Sequence, residues 1–202
     1  EEDLATYLGD SKADLSVGVL TSGTAALHLA LLLNDVEPDD VVLVQSFTFC
    51  GTTNPVRYLG AKVVFIDSEL ETWNMCPEAL ETALKKYQNQ SVKAIIPVHL
   101  YGMPAKMHEI NTLADKYGVP VIEDAAEALG STYYGQKCGA LADISILSFN
   151  GNKIITTSGG GAIVSRDESK IKKARFLSTQ ARDQAPHYQH SEIGYNYRMS
   201  NV

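Results

Sequence analysis

Short apolar runs and helix-like segments alternate along the whole chain. Runs rich in Val, Ile and Leu predict seven strands, at positions 17–20, 41–44, 62–66, 93–98, 119–122, 144–147 and 161–164. Helices are predicted at positions 1–8, 25–33, 50–58, 77–86, 105–117 and 168–177. Uninterrupted β-branched runs are typical of strands that are buried on both faces, and strands that alternate with helices favour a parallel sheet. The pattern therefore predicts one α/β domain, in which a mostly parallel sheet lies between helices.

Ligands of such sheets bind beyond the carboxyl ends of the strands, so the segments that follow the predicted strands are candidates for chemistry. The first is Ser22-Gly23-Thr24, which lies between a strand and an apolar helix. The free N–H groups and the dipole at a helix N-terminus favour an anion such as phosphate. The ordinary alternative is a helix cap, because Ser and Thr are common there. Neither a Walker loop nor the G-x-G-x-x-G dinucleotide motif is present.

Three further side chains follow other strands. Asp124 could pair with a protonated heterocycle, although a cap or a salt bridge would also explain it. Phe49 could stack on a flat ring, although core packing is commoner for Phe. Lys153 is the only cationic residue between Lys137 and Arg166, and its Gly-rich, uncharged surroundings suit an amine nucleophile. The alternative is a lysine that lies on a flexible turn by chance.

These features share one predicted edge of the sheet, and together they match the needs of pyridoxal 5'-phosphate. The helix N-terminus would hold the phosphate, and Phe49 would stack on the pyridine ring. Asp124 would keep the ring nitrogen protonated, and Lys153 would form a Schiff base with the aldehyde.

The chain also resembles the sugar aminotransferases of the DegT/DnrJ/EryC1/StrS family. The resemblance runs from end to end, and its signatures lie at 21–27, 123–130 and 194–200. Residues 150–161 are similar to the branch that includes the UDP-N-acetylbacillosamine pathway aminotransferase. This resemblance implies the aspartate aminotransferase (type I) fold. It also implies that glutamate donates an amino group to C4 of a UDP-linked 4-keto-6-deoxy-N-acetylhexosamine.

The same resemblance implies roles for individual residues. Gly23, Thr24 and Ser148 would contact the cofactor's phosphate, and Glu127 stands where relatives often carry a Gln that bonds the phenolic oxygen. Asn196 would reach the cofactor of the other subunit, so a homodimer with shared active sites is expected. A relative that removes a hydroxyl group has His at the position of Lys153, so this Lys favours amino transfer. Family members are nearly twice as long, so residues 1–202 are interpreted as the cofactor-binding large domain. The N-terminal region and the C-terminal small domain are expected to be missing.

Composition limits the partners and the compartment. The chain has 202 residues and a formal charge of −7, with 17 Lys plus Arg against 24 Asp plus Glu. An acidic chain is a poor candidate for binding nucleic acid or an anionic membrane surface. Three scattered cysteines without a C-x-x-C pair predict reduced thiols, no metal site and a cytoplasmic protein. Other classes remain open: a 3-keto or dTDP-linked sugar aminotransferase, a dehydratase that uses the same cofactor, or a binding or regulatory module without catalysis.

Overall fold

The computed structural model describes residues 1–9 and 15–201, which form helices, strands and a small hairpin. The helices are α1 (Glu2–Leu8), α2 (Gly23–Leu32), α3 (Cys50–Tyr58), α4 (Pro77–Tyr87), α5 (Met107–Tyr117) and α6 (Glu168–Ser178). The main strands are β1 (Ser16–Leu20), β2 (Val41–Gln45), β3 (Lys62–Ile66), β4 (Val92–Ile96), β5 (Ile122–Asp124), β8 (Ile144–Ser148) and β9 (Gly161–Ser165). The hairpin consists of β6 (Thr132–Tyr133) and β7 (Gln136–Lys137). A short 3-10 turn lies at Leu100–Gly102.

The seven main strands follow the spatial order β1-β9-β8-β5-β4-β2-β3. Ladders join the first four strands and the last three, and two isolated parallel bridges connect β5 to β4. β9 is antiparallel to both of its neighbours, whereas β5 pairs with β8, and β2 pairs with β3 and β4, in parallel. The predicted α/β class with a mostly parallel sheet is therefore confirmed.

Helices cover both faces of this sheet. Every residue of β2 is buried, and its side chains alternate between two hydrophobic clusters: Leu43 joins one, and Val42 joins the other. The cluster of Leu43 includes Leu80 of α4 and Ile110 of α5. The cluster on the opposite face includes α2, whose side chains are nearly all buried, and the apolar side of α6. An uninterrupted apolar strand is thus explained by burial on two sides.

The structure moves several predicted boundaries and adds one element; β4 ends at Ile96 and not at position 98, and α2 begins at Gly23 and not at position 25. β5 begins at Ile122 and not at position 119, because Pro120 has no N–H to give to a ladder. α5 begins at Met107 and not at position 105. The sequence analysis missed the β6–β7 hairpin, whose two turn residues, Tyr134 and Gly135, both have positive φ (47° and 83°). Within residues 1–9 and 15–201, no helix combines the length and the apolar character needed to cross a bilayer.

Candidate active site

A cavity of about 530 Å³ opens at the carboxyl ends of the parallel strands. The loops that follow β1, β2, β4, β5 and β8 line it. Seven of the eight residues singled out in the sequence lie on its wall: Gly23, Thr24, Phe49, Asp124, Glu127, Ser148 and Lys153. The cavity therefore brings together a helix N-terminus, an aromatic ring, two carboxylates and an amine.

The N-terminus of α2 forms one side of this cavity. Ser22 is the N-cap, and its hydroxyl accepts the Ala25 N–H at 3.0 Å, so the capping interpretation of this residue is correct. The N–H groups of Gly23 and Thr24 find no acceptor among the described residues, which leaves two donors available at the positive end of the helix dipole. Capping and anion binding are thus compatible here.

Close packing holds this helix end against the sheet. A Cβ on Gly161, at the start of β9, would lie 2.4 Å from the carbonyl carbon of Ser22 and 2.5 Å from the Gly23 nitrogen. A Cβ on Gly23 would lie 2.9 Å from Cβ of Ser148. Glycine at these two positions lets the peptide that starts α2 approach β8 and β9 closely. The same contact brings the Ser148 side chain next to the free N–H groups.

Asp124 ends β5 at the floor of the cavity, and its carboxylate is buried. Oδ2 accepts the Thr52 hydroxyl at 2.8 Å, and Oδ1 accepts the Ala126 N–H at 3.1 Å. Burial raises the pKa of Asp124, and the hydrogen bonds from Thr52 and Ala126 offset only part of this effect. No salt bridge to Asp124 occurs among the described residues, so that alternative is wrong. This carboxylate would gain most from a cation placed in the cavity.

Lys153 reaches the cavity from the loop after β8, and its side chain is 14% exposed. Its Nζ donates to Glu127 Oε1 at 3.2 Å, and Glu127 Oε2 accepts the Tyr101 N–H at 2.9 Å. Both oxygens of the Glu127 carboxylate are therefore engaged. The lysine does not project freely from a flexible turn.

The ring of Phe49 is 73% exposed at the mouth of the cavity, immediately before α3. Core packing is therefore wrong for this residue, and one face of its ring remains available for stacking. Asn196 alone of the eight lies off the cavity wall. It is exposed, and its backbone forms an isolated bridge with Thr179. His99 is buried, its Nε2 bonds the Glu123 carboxylate, and its Nδ1 accepts the Ala105 N–H.

Sequence reasoning missed three groups that support the site. The Thr52 hydroxyl bonds Asp124 across 72 positions of sequence, the Tyr101 N–H bonds Glu127, and the buried amide of Asn74 bonds the loop that carries Tyr101. The only available signal was the placement of Thr52 and Tyr101 after predicted strands. Nothing in the sequence around Asn74 indicated a part in the site.

Known proteins are similar to this chain in sequence and in fold. The sequence matches the DegT/DnrJ/EryC1/StrS aminotransferase family over residues 1–202, and the chain belongs to that family. It is 59% identical over 204 residues to a Bacillus subtilis (strain 168) protein named "Putative pyridoxal phosphate-dependent aminotransferase EpsN". It is 43% identical to the GDP-perosamine synthase of Caulobacter vibrioides. It is 40% identical to the UDP-4-amino-4,6-dideoxy-N-acetyl-beta-L-altrosamine transaminase of Campylobacter jejuni. Each alignment covers the whole chain but only 52% of the relative, so the chain spans about half the length of these proteins.

Solved structures give the same result. A DegT DnrJ EryC1 StrS aminotransferase from Brucella abortus superposes with a TM-score of 0.90 at 33% identity, over 98% of this chain and 53% of that one. The PLP form of "Putative sugar aminotransferase Spr1654" from Streptococcus pneumoniae superposes with a TM-score of 0.89 at 28% identity, over 100% of this chain and 55% of that one. The predicted aminotransferase fold is therefore confirmed.

The buried charge of Asp124 predicts how stability depends on pH. Because its pKa is raised in the folded chain, the folded state holds this proton more tightly than the unfolded chain does. The stabilisation from the protonated form is complete below the unfolded pKa and is lost as the pH rises through the folded pKa. We expect Asp124→Asn to raise the free energy of unfolding of the cofactor-free protein at pH 7, and this gain to disappear as the pH falls into the ordinary carboxyl range.

Urea denaturation at several pH values measures this difference. Asp143→Asn, at an exposed position, is the matched control and should change the free energy of unfolding little at any pH. An Asp124→Asn variant that is less stable than the parent at pH 7 would contradict the argument.

Proposed function

We propose that this protein is a pyridoxal 5'-phosphate-dependent aminotransferase that moves an amino group from glutamate to the keto group of a nucleotide-linked sugar. One observation carries the proposal: the Lys153 amine, the Asp124 carboxylate and the N-terminus of α2 surround a single cavity of about 530 Å³. Family membership and the aminotransferase names of the relatives support it.

The hydrogen-bond donors and the charged side chains of the cavity fit this cofactor. Two N–H groups without acceptors, at Gly23 and Thr24, and the hydroxyls of Thr24 and Ser148 suit a phosphate. The buried carboxylate of Asp124, whose pKa is raised by burial, suits a protonated ring nitrogen, because such a cation would favour its charged form. When bound, the cofactor supplies an aldehyde that condenses with amines and a ring that accepts an electron pair from the neighbouring carbon.

Each residue then has a defined task. The Lys153 Nζ would hold the cofactor and would move a proton to and from the reacting carbon as a general base. Glu127 orients the Lys153 Nζ through their 3.2 Å contact. Asp124 would keep the ring nitrogen protonated, and Phe49 would cover one face of the ring and exclude water. In the net reaction, glutamate and the keto sugar would give 2-oxoglutarate and the amino sugar, because the amino group of one is exchanged for the keto oxygen of the other.

For the substrate we propose a UDP-linked 4-keto-6-deoxy-N-acetylhexosamine. The Campylobacter relative, whose name contains a UDP-linked N-acetylated 4-amino sugar, and residues 150–161 support this choice. The GDP-perosamine synthase indicates that nearby relatives differ in nucleotide. Lys153 is the only cation among the described residues on the cavity wall, so the diphosphate would find its cationic partners on other segments.

We further propose that residues 1–202 form the cofactor-binding large domain of a homodimer with shared active sites. Several apolar side chains that flank the cavity are exposed, notably Phe49, Tyr101, Ile154 and Ile155. A second copy of the chain would cover this surface, and exposed Asn196 would then reach the partner's cavity. Exposed apolar surface beside a polar site is typical of an interface.

Replacement of the nucleophile tests the central proposal. Purified protein that has been reduced with borohydride should carry the cofactor's added mass on the peptide containing Lys153. Lys153→Ala should lower the rate of amino transfer by about 10²–10⁴-fold or more, because the proton carrier is lost. Lys137→Ala, on the β6–β7 hairpin, is the control and should leave the rate unchanged. Label on another lysine, or full turnover by Lys153→Ala, would exclude the mechanism.

A substrate panel tests the sugar. With glutamate as donor, kcat/KM should be at least about tenfold higher for UDP-4-keto-6-deoxy-N-acetylhexosamine than for its GDP- or dTDP-linked counterparts, or for a 3-keto sugar. Preference for the 3-keto sugar would change the proposed carbon, and preference for another nucleotide would change the proposed carrier.

Mixed dimers test the shared site. Lys153→Ala and Asn196→Ala should each be weakly active alone. Random exchange of subunits makes about half of the dimers hybrids, and each hybrid would contain one intact site. The mixture should therefore recover about a quarter of the parent activity. If mixing restores nothing while hybrids are seen by native mass spectrometry, Asn196 does not act across the interface.

A further inference from the structure

The loop after β4 holds a strained residue at the edge of the cavity. Tyr101 has φ 51° and ψ 29°, in the left-handed region that is unfavourable for a non-glycine residue. Its side chain is 81% exposed, so packing of the ring does not explain this conformation. Strain of this kind persists only where the surroundings determine the backbone.

Buried amide side chains supply that constraint. The Leu100 N–H donates to Asn74 Oδ1 at 3.0 Å, and Asn74 Nδ2 donates to the Met103 carbonyl at 2.8 Å. Asn74 therefore bonds the backbone on both sides of Tyr101. Upstream, the Val98 N–H donates to Gln45 Oε1 at 3.2 Å. Asn74 and Gln45 are both fully buried.

Asn74 is itself fixed to the sheet. Gln45, the last residue of β2, donates from Nε2 to Asn74 Oδ1 at 3.3 Å, and its Oε1 accepts the Met75 N–H at 2.8 Å. A buried polar network in which each member has partners is rigid, because any displacement leaves a polar group unsatisfied. Asn74 thus ties the backbone on both sides of Tyr101 to the end of β2.

The conformation of Tyr101 affects how Glu127 is oriented toward the Lys153 amine. With Tyr101 in this conformation, its N–H points at Glu127 Oε2 (2.9 Å), and Glu127 Oε1 lies 3.2 Å from Lys153 Nζ. A rotation of the Tyr101 peptide would free one oxygen of Glu127 and release the carboxylate from its orientation toward the lysine.

We infer that Asn74 is a positioning residue for the reaction, acting through the Tyr101 N–H and Glu127 on Lys153. The inference rests on the proposed function, because that function gives the Lys153 amine its part in a reaction. The hydrogen bonds that connect Asn74 to Lys153 do not require a bound cofactor. Asn74 does not itself line the cavity or contact the amine, but it bonds the backbone of Leu100, which lines the cavity.

Two measurements on the purified protein test this inference. The first is hydrogen exchange of the Tyr101 amide in the cofactor-free protein, which Asn74→Ala should speed by at least about tenfold. The second is the pH midpoint of the absorbance of the cofactor linked to Lys153. A carboxylate close to the linking nitrogen favours its protonated form, so Glu127→Gln should lower this midpoint by about one unit. Asn74→Ala should lower it in the same direction, and it should add nothing in the Glu127→Gln background.

Ser165→Ala is the matched control, because it removes a buried hydrogen bond to the Asp143 carbonyl at the opposite end of the sheet. It should reduce stability without changing either readout. If Asn74→Ala fails to fold, Asn74→Ser retains a hydroxyl and should give smaller changes in the same directions.

The outcomes separate the two proposals. If Asn74→Ala and Asn74→Ser leave both Tyr101 exchange and the absorbance midpoint as in Ser165→Ala, Asn74 is only structural and the inference is overturned. The inference is also overturned if Asn74→Ala shifts the midpoint fully in the Glu127→Gln background. A parent protein with no cofactor on Lys153 would end the proposed function, while Tyr101 exchange would still decide the positioning role.

Discussion

The site depends on the common direction of five strands: β1, β2, β4, β5 and β8. Because these strands are parallel to one another, the loops that follow them all lie at one edge of the sheet. Residues as far apart in sequence as Thr24 and Lys153 meet there because of this shared direction. The antiparallel strand β9 completes the arrangement. Its first residue, Gly161, has no side chain to keep the start of α2 away, so the helix end sits directly over the β8–β9 pair. The start of α2 thereby lines the same cavity as the Lys153 amine, which comes from the loop after β8.

Two adjacent carboxylates show how the sheet separates structural from chemical roles. Glu123 and Asp124 point to opposite faces of β5, and both are buried. Burial raises the pKa of Glu123, but hydrogen bonds from His99, Gly139 and Ser145 more than compensate, so the net pKa is lowered. His99 donates from Nε2 to Glu123 at 2.8 Å because its Nδ1 accepts the Ala105 N–H. Asp124 has fewer donors, and burial raises its pKa. Only the under-satisfied carboxylate faces the cavity, where a cation can complete its environment.

Much of this architecture could be predicted from the sequence, because periodic burial sets the strands and helices. α3 and β3 match the predicted bounds, and the apolar run of β3 lies between Gly60 and Asp67. The β6–β7 hairpin could not be predicted, because its strands have two residues each and its Tyr134-Gly135 turn lacks the common Asn-Gly signal. In the candidate site, side chains that follow predicted strands could be proposed as site residues. Partners fixed by tertiary contact, such as Thr52 and Asn74, carry no local pattern that distinguishes them from ordinary polar residues.

The charge of the chain and its proposed ligand can be reconciled on the same physical grounds. A formal charge of −7 argues against a partner with a large anionic surface, such as nucleic acid or an anionic membrane. It does not prevent the binding of one phosphate. The donors at that position are the backbone N–H groups of Gly23 and Thr24 and nearby hydroxyls, which carry no formal charge. Among the described residues, Lys153 is the single cation on the cavity wall, and its pairing with Glu127 means that it adds little net positive charge. Phosphate binding would thus come from oriented dipoles, which leaves the amine to covalent chemistry rather than to electrostatic attraction.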